Sequence, residues 1–413
     1  MKSTAALIGQ THTAAINLRK TKEKQVKAAL IALAAALEAN SAALIRANKK
    51  DLAKQAPDNP RNDRLLLNQE RIHTIANSIR TIARLPDPGG QLLEERTLPN
   101  GLLLQKISVP LGVVGAIYES RPNVTFDIAA LCLRSRNAAL LKGSSEAEHT
   151  NKAAVALIKK VLKEQDIDPG CVTLLPSDRE VVKELFTATR YVDVLIPRGS
   201  ASLIDYVRKN SLVPVIETGA GVCHVYVEKQ ADLQKAVRIV ANAKISRPSV
   251  CNSMDTVLVD AAIAPRFLAQ LQPAFSEYQV EMLADKKAYP LLKGYPYLQK
   301  ATPEDFGREF LSLRCAVKVV NGLEEALAHI REYSTKHSEA IVSENKKQCA
   351  RFLQEVDAAA VYTNASTRFT DGEEFGLGAE IGISTQKLHA RGPFALEKLV
   401  TEKWLVQGNG QVR

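Results

Sequence analysis

Apolar positions fall into two regimes along the chain. From about residue 14 to residue 55, Val26, Leu30, Leu33, Leu37 and Leu44 recur at helical spacing among many alanines, which predicts a helix. The stretch Ala56-Pro57-Asp58-Asn59-Pro60 breaks it, and a second helical pattern runs from Asp63 to Leu85. Pro86 to Gly90 closes that pattern. The period then shortens. Leu98-Pro99-Asn100-Gly101-Leu102 carries Asn-Gly, the pair a type I′ turn favours, and Leu103 to Ile107 reads as a strand. Residues 93 to 109 are therefore expected to form a β-hairpin.

From Pro110 onward, short apolar runs alternate with helical segments. Strands are expected at Val113–Tyr118, Asn137–Lys142, Val172–Leu175, Val192–Ile196 and Val213–Ile216, with helices at 124–135, 145–165, 178–188 and 200–210. After Gly221 the alternation restarts. Strands are expected at 225–227, 256–259, 316–320, 340–342 and 360–362, with helices at 231–246, 264–276, 323–331 and 345–354. The tail from 366 is Gly-rich and ends in a strand-like Trp404-Leu405-Val406. Two doubly wound parallel sheets follow from this order, with ligands expected at the C-terminal ends of the strands.

Composition narrows the class. At 413 residues the chain is long enough for two or three domains, and 46% hydrophobic with 24% charged residues is ordinary for a globular protein. The net charge is +10, but the basic residues are scattered and not interleaved with aromatics, so no nucleic-acid partner is expected. No run of 18 apolar residues occurs, so no membrane span is expected. Lys2 precedes only a very short apolar stretch, Ala5 to Ile8, unlike a signal peptide. The six cysteines are unpaired in spacing and no metal motif is present, which suggests free thiols, no metal and a reducing, cytoplasmic setting.

Several residues could carry chemistry. Cys251 lies in Ser246-Arg247-Pro248-Ser249-Val250-Cys251-Asn252-Ser253, a loop between a helix and a strand. It is a nucleophile if exposed near a cation such as Arg247, and otherwise an inert loop cysteine. Cys223-His224 looks like a catalytic pair, but adjacent strand residues point to opposite faces, so Cys223 reads as core. Lys142-Gly143-Ser144-Ser145 ends a strand before a helix, a place for an anionic group. Ser145 with Glu148 also matches an S-x-x-E capping box. Glu217, before Thr218-Gly219, is either a general base or the partner of a nearby cation. No GxGxxG opens a helix and no Walker A motif occurs, so cofactor binding has no motif of its own.

The blocks Val109–Val124, Ile196–Gly199, Ile216–Val227, Arg247–Asn252, Glu374–Thr385 and His389–Pro393 closely resemble the gamma-glutamyl phosphate reductase family of the aldehyde-dehydrogenase superfamily. The resemblance implies an α/β, aldehyde-dehydrogenase-like fold. Its parts would be an NADP-binding domain at 1–92 and 110–220 and a catalytic domain at 221–388. An oligomerisation hairpin and tail would lie at 93–109 and 389–413. It also implies a homo-oligomer, a dimer or a tetramer.

Residue by residue, Cys251 matches the catalytic cysteine and Asn123 the oxyanion-hole asparagine. Lys142, Ser144, Ser145, Gly199, Ser200 and Glu309 fall at cofactor-contacting positions. Lys142 matches the lysine on the adenosine ribose and Glu309 the glutamate on the nicotinamide ribose. Ser145 stands where NAD-preferring relatives carry a glutamate, which suits NADP(H). Glu217 aligns with the general base of hydrolytic relatives. Arg121, Arg247 and Arg391 are candidates for the anionic substrate and phosphate.

The implied reaction is NADPH-dependent reduction of L-glutamyl 5-phosphate to L-glutamate 5-semialdehyde through a Cys251 thioester, on the route to proline. A hydrolytic aldehyde dehydrogenase and a non-catalytic homologue are the alternatives. The chain departs from the family at Ser200, where a second glycine is usual, and at Lys142, where arginine is more common. Gln105-Lys106-Ile107-Ser108 is also less basic than usual.

Overall fold

The structure, a computed structural model, describes residues 3–56, 62–119 and 121–413. The expected breaker at Pro57–Pro60 and Ser120 of the family-like block lie outside the described residues.

The chain divides into two compact units. One comprises Met1–Thr218, Gly376–Gly382 and Phe394–Arg413; the other comprises Gly219–Phe375 and Ile383–Pro393.

The first unit opens with helices α1 (Thr4–Leu18), α2 (Glu23–Ala39) and α3 (Ser41–Leu52), then the single turn α4 (Asn62–Leu65) and α5 (Gln69–Arg84). The single helix expected over 14–55 is thus three. Helical periodicity persists across a break when both segments bury the same kind of apolar stripe, so the breaks are local. At Asn40 the side-chain amide donates 2.7 Å to the Ala36 carbonyl, competing with the next helical bond. The start moves to Thr4 because the Ser3 hydroxyl caps Ala6 N–H. The expected helix 63–85 is likewise split before Asn68, which caps α5 through Arg71 N–H. Asn48 holds the linker from within the core: its amide donates 2.8 Å to the Leu65 carbonyl and accepts 2.8 Å from Leu67 N–H.

Next come β1 (Leu92–Thr97) and β2 (Leu103–Pro110), an antiparallel pair. The hairpin is as expected, but its turn is not type I′. Among the described residues Gly101 has φ +84, whereas Asn100 is not in the left-handed region. Gly101 N–H donates 2.9 Å to the Leu98 carbonyl. Pro99 fixes φ negative at the first corner of the turn, which excludes type I′, and Asn100 outside the left-handed region leaves type I rather than type II.

The first parallel sheet contains β3 (Val113–Tyr118), β4 (Ala138–Gly143), β5 (Val172–Leu174) and β6 (Val194–Arg198), in the order β5-β4-β3-β6. Crossovers are α6 (Pro122–Arg134), α7 (Glu148–Glu164) and α8 (Glu180–Thr187), and α9 (Ala201–Asn210) follows β6. β3 and β4 are buried at every position, as expected of a sheet covered on both faces. The strand expected at 213–216 is only one bridge, Leu195↔Val215. Pro214 supplies no N–H to extend it.

The capping box expected at Ser145 is also absent. Ser145–Ala147 is a 3₁₀ turn, and α7 starts at Glu148 without a side-chain cap of its own. Asp51, buried at the end of α3, does the work instead, accepting 3.0 Å from His149 N–H and 2.8 Å from Thr150 N–H.

The second unit is one seven-stranded sheet, β10-β9-β11-β8-β7-β12-β13, with every pair parallel. Its elements in chain order are β7 (Cys223–Val227), α10 (Leu233–Ile245), β8 (Met254–Asp260), α11 (Ala264–Glu277), β9 (Glu281–Ala284), β10 (Leu298–Lys300), β11 (Arg314–Val320), α12 (Leu323–Tyr333), β12 (Ser338–Val342), α13 (Lys346–Glu355) and β13 (Ala360–Thr363). Alternate residues of one strand feed two cores. Val225 and Val227 pack with Phe267 and Phe275, while Tyr226 between them packs with Leu323 and Phe352. Strands β9 and β10 escape the sequence reading because four and three residues are too few to show a period. The chain ends with β14 (Glu380–Ser384), β15 (Gly392–Ala395) and β16 (Val400–Gln407), the last pairing antiparallel with β2. Among the described residues no single helix is long and apolar enough to cross a membrane.

Candidate active site

Cys251 sits in the loop between α10 and β8, partly exposed and outside any disulfide. Of the six free cysteines, Cys132, Cys171, Cys223 and Cys315 are buried, which raises each thiol above its ordinary range. Cys223 is in the core of β7, as its position in a strand implies. It is not a bystander, however: its S–H donates 3.3 Å to the carbonyl of Cys251.

The loop is packed against Gly221. A Cβ at that position would stand 1.6 Å from the Cys251 carbonyl oxygen, so only glycine fits. Gly221 N–H donates 2.9 Å to the carboxylate of Glu309, fixing Glu309 beside the same loop. Burial raises the Glu309 carboxyl, and the Gly221 hydrogen bond opposes that shift. The segment carrying Glu309 is itself anchored: Phe310 N–H donates 3.2 Å to Asp255, which forms a fully buried 3.2 Å ion pair with Lys244.

Asn252, 3% exposed, locks the other side of the Cys251 loop. Its amide donates 3.2 Å to the Arg368 carbonyl and 2.9 Å to the Thr370 carbonyl, while Thr367 Oγ1 donates 2.7 Å to its carbonyl. The Arg368 guanidinium donates to Asn252 Oδ1 and, at 3.1 Å, to Ser246 Oγ. Burial lowers Arg368, with Arg247 as the next cause, while Cys251 acts in the opposite sense. Arg247 itself is exposed. Arg368 is absent from the sequence reading because it lies over 100 residues from Cys251, in no block that marks it.

The other candidates are placed as follows. Arg391 pairs with Asp357 at 2.8 Å, and Lys336 and Lys387 converge on the same carboxylate, which is held down at about 2 by Lys387 and Arg391. In the first unit, Arg121 and Asn123 lie at the start of α6, and the exposed Asn123 amide donates 3.0 Å to Asp127. Glu217 is partly buried, 3.7 Å from Arg208.

Lys142, at the end of β4, is 8% exposed and donates 2.9 Å to the Ser177 carbonyl. Burial lowers its pKa, with Asp178 raising it in part. Next to it in the chain, Gly143 and Ser144 line a small recess with Asn151, Lys152, Leu175 and Ser177. Ser145 is exposed at the rim of the 3₁₀ turn. At the end of β6, Gly199 leaves room only for Glu119, whose carboxylate accepts 3.0 Å from Ser200 N–H and 2.7 Å from Ser200 Oγ. Ser200 in turn caps α9.

Residues 2–289 match the family model described as the aldehyde dehydrogenase family. The chain belongs to the aldehyde dehydrogenase family. Within it the chain groups with the gamma-glutamyl phosphate reductases and is an oxidoreductase. It is 52% identical over 394 residues to the gamma-glutamyl phosphate reductase of Pelodictyon phaeoclathratiforme, covering 95% of this chain and 94% of that one. It is 53% identical over 382 residues to that of Bacteroides fragilis, covering 92% of each. Among solved structures, the gamma-glutamyl phosphate reductase of Thermotoga maritima superposes with a TM-score of 0.96 at 40% identity, with 100% of both chains covered. The aldehyde-dehydrogenase fold expected from the blocks of sequence is therefore the fold of this chain.

Proposed function

We propose that the chain reduces L-glutamyl 5-phosphate to L-glutamate 5-semialdehyde with release of phosphate, using Cys251 as nucleophile and NADPH as reductant. The observation that carries this reading is the Cys251 loop. It is the partly exposed thiol that packing against Gly221, Asn252 and Arg368 holds in one conformation, in a chain about half identical to enzymes named for this reaction.

The thiolate of Cys251 attacks the acyl carbon, and the carbon–oxygen bond to phosphate breaks, leaving a thioester on Cys251. Charge on the acyl oxygen is met by the backbone N–H of Cys251, and Asn123 is the family-derived candidate for the second donor. The Asn123 amide must first leave Asp127. Arg247, exposed on the Cys251 loop, suits the phosphate or α-carboxylate, because a guanidinium binds such groups through two parallel bonds. Arg121 and Arg391 remain candidates for the second anion. The aldehyde forms as the thiolate departs, and cyclisation of the product leads towards proline.

The dinucleotide is assigned to the C-terminal end of β4, where a parallel sheet receives its ligands. A Cβ at Gly143 would stand 2.2 Å from Asn151 Nδ2, so glycine here lets the Asn151 side chain pack on the strand end. Lys142, Ser144 and Ser145 offer donors there, Gly199 and Ser200 line the end of β6, and Glu309 suits a ribose hydroxyl. When bound, the dinucleotide supplies the hydride. The exposed Ser145 carries no charge to repel a 2′-phosphate, which supports NADP(H). Glu217 would activate water in a hydrolytic relative, but here its nearness to Arg208 favours an ion-pair role. The exposed Leu92, Leu93, Trp404 and Val406 of the β1-β2-β16 sheet support self-association through that sheet.

The test is the reverse reaction. Semialdehyde oxidation with NADP should require inorganic phosphate; equal rates without phosphate would point to the hydrolytic alternative. Failure to turn over in either direction would point to the non-catalytic one.

A further inference from the structure

We propose that Arg368 is a positioning residue for Cys251: its side chain closes the nucleophile loop from Ser246 to Asn252 and presents a guanidinium to the thiolate. The proposal rests on Cys251 being the nucleophile.

The geometry is reciprocal. Arg368 donates from Nε to Ser246 Oγ at 3.1 Å and from Nη1 to Asn252 Oδ1. Asn252 returns a bond from Nδ2 to the Arg368 carbonyl at 3.2 Å, and Thr367, the neighbour of Arg368, donates 2.7 Å to the Asn252 carbonyl. Two points of one loop, on either side of Cys251, are thereby tied to one short segment far away in sequence. Asn252 is 3% exposed, so releasing its side chain from Arg368 would leave a desolvated oxygen without its donor.

A purely structural clamp would not need to be charged. Arg368 pays for its charge: burial lowers it, and Arg247 lowers it further, while Asp371, Cys251 and Glu374 act the other way. Arg247 lies on the nucleophile's own loop and Arg368 on the segment after β13. Cys223 approaches from β7, through a thiol that burial keeps protonated, and Glu309 is held on the far side by Gly221. Arg368 is hydrogen-bonded to both flanks of Cys251. A neutral thiol gains nothing from a guanidinium beside it, whereas a thiolate is stabilised by one.

Alkylation of the wild-type protein by iodoacetamide across pH, with the Cys251 peptide quantified by mass spectrometry, tests this directly. N-acetylcysteine, alkylated alongside, is the reference thiol. In the wild type the Cys251 midpoint should lie below that of N-acetylcysteine; a midpoint at or above it overturns the proposal without any variant. Arg368→Gln should raise the Cys251 midpoint by about one pH unit, as expected for loss of a nearby opposite charge. Arg368→Lys, which keeps the charge and loses the fork, should stay within a few tenths of a unit while kcat falls. Unchanged midpoints in both variants would also overturn it. If instead Cys251→Ala retains turnover, the nucleophile assignment fails, whatever the midpoints show.

Discussion

Gly221 and Cys251 meet backbone to backbone: a Cβ on Gly221 would overlap the Cys251 carbonyl oxygen, at 1.6 Å. Neither residue can move without the other, and Gly221 also carries Glu309. Gly221→Ala should therefore shift the nucleophile loop. Overpacking of this kind costs about 1–3 kcal/mol. A displacement of the reacting group by about 1 Å costs on the order of a hundredfold in rate. Thermal unfolding and kcat of the variant check both; a wild-type kcat would show that the loop tolerates displacement.

The two cysteines joined by the 3.3 Å contact should separate in function. Cys251→Ala is expected to abolish NADPH oxidation while leaving NADPH binding intact. Cys223→Ala removes a buried thiol and its bond to the Cys251 carbonyl, so it should cost about 1 kcal/mol of stability and keep most of the activity. Near wild-type turnover by Cys251→Ala would remove the nucleophile assignment.

Cofactor choice should respond to Ser145. Ser145→Glu places a carboxylate on the exposed 3₁₀ turn after β4, where it would repel a 2′-phosphate. Preference should move from NADPH towards NADH by roughly tenfold or more, since a charge-assisted contact is worth roughly 1.5–3 kcal/mol. Equal affinity of the wild type for both cofactors, measured by titration, would contradict this reading.

The candidate arginines should not be equal. Arg247→Ala is expected to raise the KM for phosphate or semialdehyde in the reverse reaction about tenfold, with NADP affinity unchanged. Arg391→Ala should do less, because its guanidinium already serves Asp357. Wild-type KM values in the Arg121, Arg247 and Arg391 variants would mean that backbone N–H groups hold the anion.

Acid should weaken the second unit in a defined window. Burial lowers His337 from 6.5 to about 4. Between those values the unfolded chain binds a proton that the folded chain refuses, so stability is full above about pH 6.5 and falls as pH drops towards 4. The difference corresponds to on the order of 3 kcal/mol at the acid end. Urea midpoints at pH 7 and pH 5 should differ less in His337→Gln than in the wild type. An identical pH dependence would show that His337 titrates normally.

The sequence by itself determined the class of fold and placed Cys251 in a loop between a helix and a strand. Buried parallel strands declare themselves as apolar runs such as Val113–Tyr118, because a sheet covered on both faces leaves no polar alternation. Local patterns also reveal loops, and so Cys251. They do not reveal which distant groups close on a loop. Arg368, the Gly221 contact, the Asp51 cap on α7 and the capture of Arg391 by Asp357 each join residues remote in sequence. The same holds for short elements. Strands β9 and β10 exist because neighbours offer hydrogen bonds, whereas 213–216 has the composition of a strand and gains only one bridge. Propensity and periodicity are properties of a segment; capping, clamping and strand pairing are properties of what lies beside it, and only the tertiary structure supplies that neighbour.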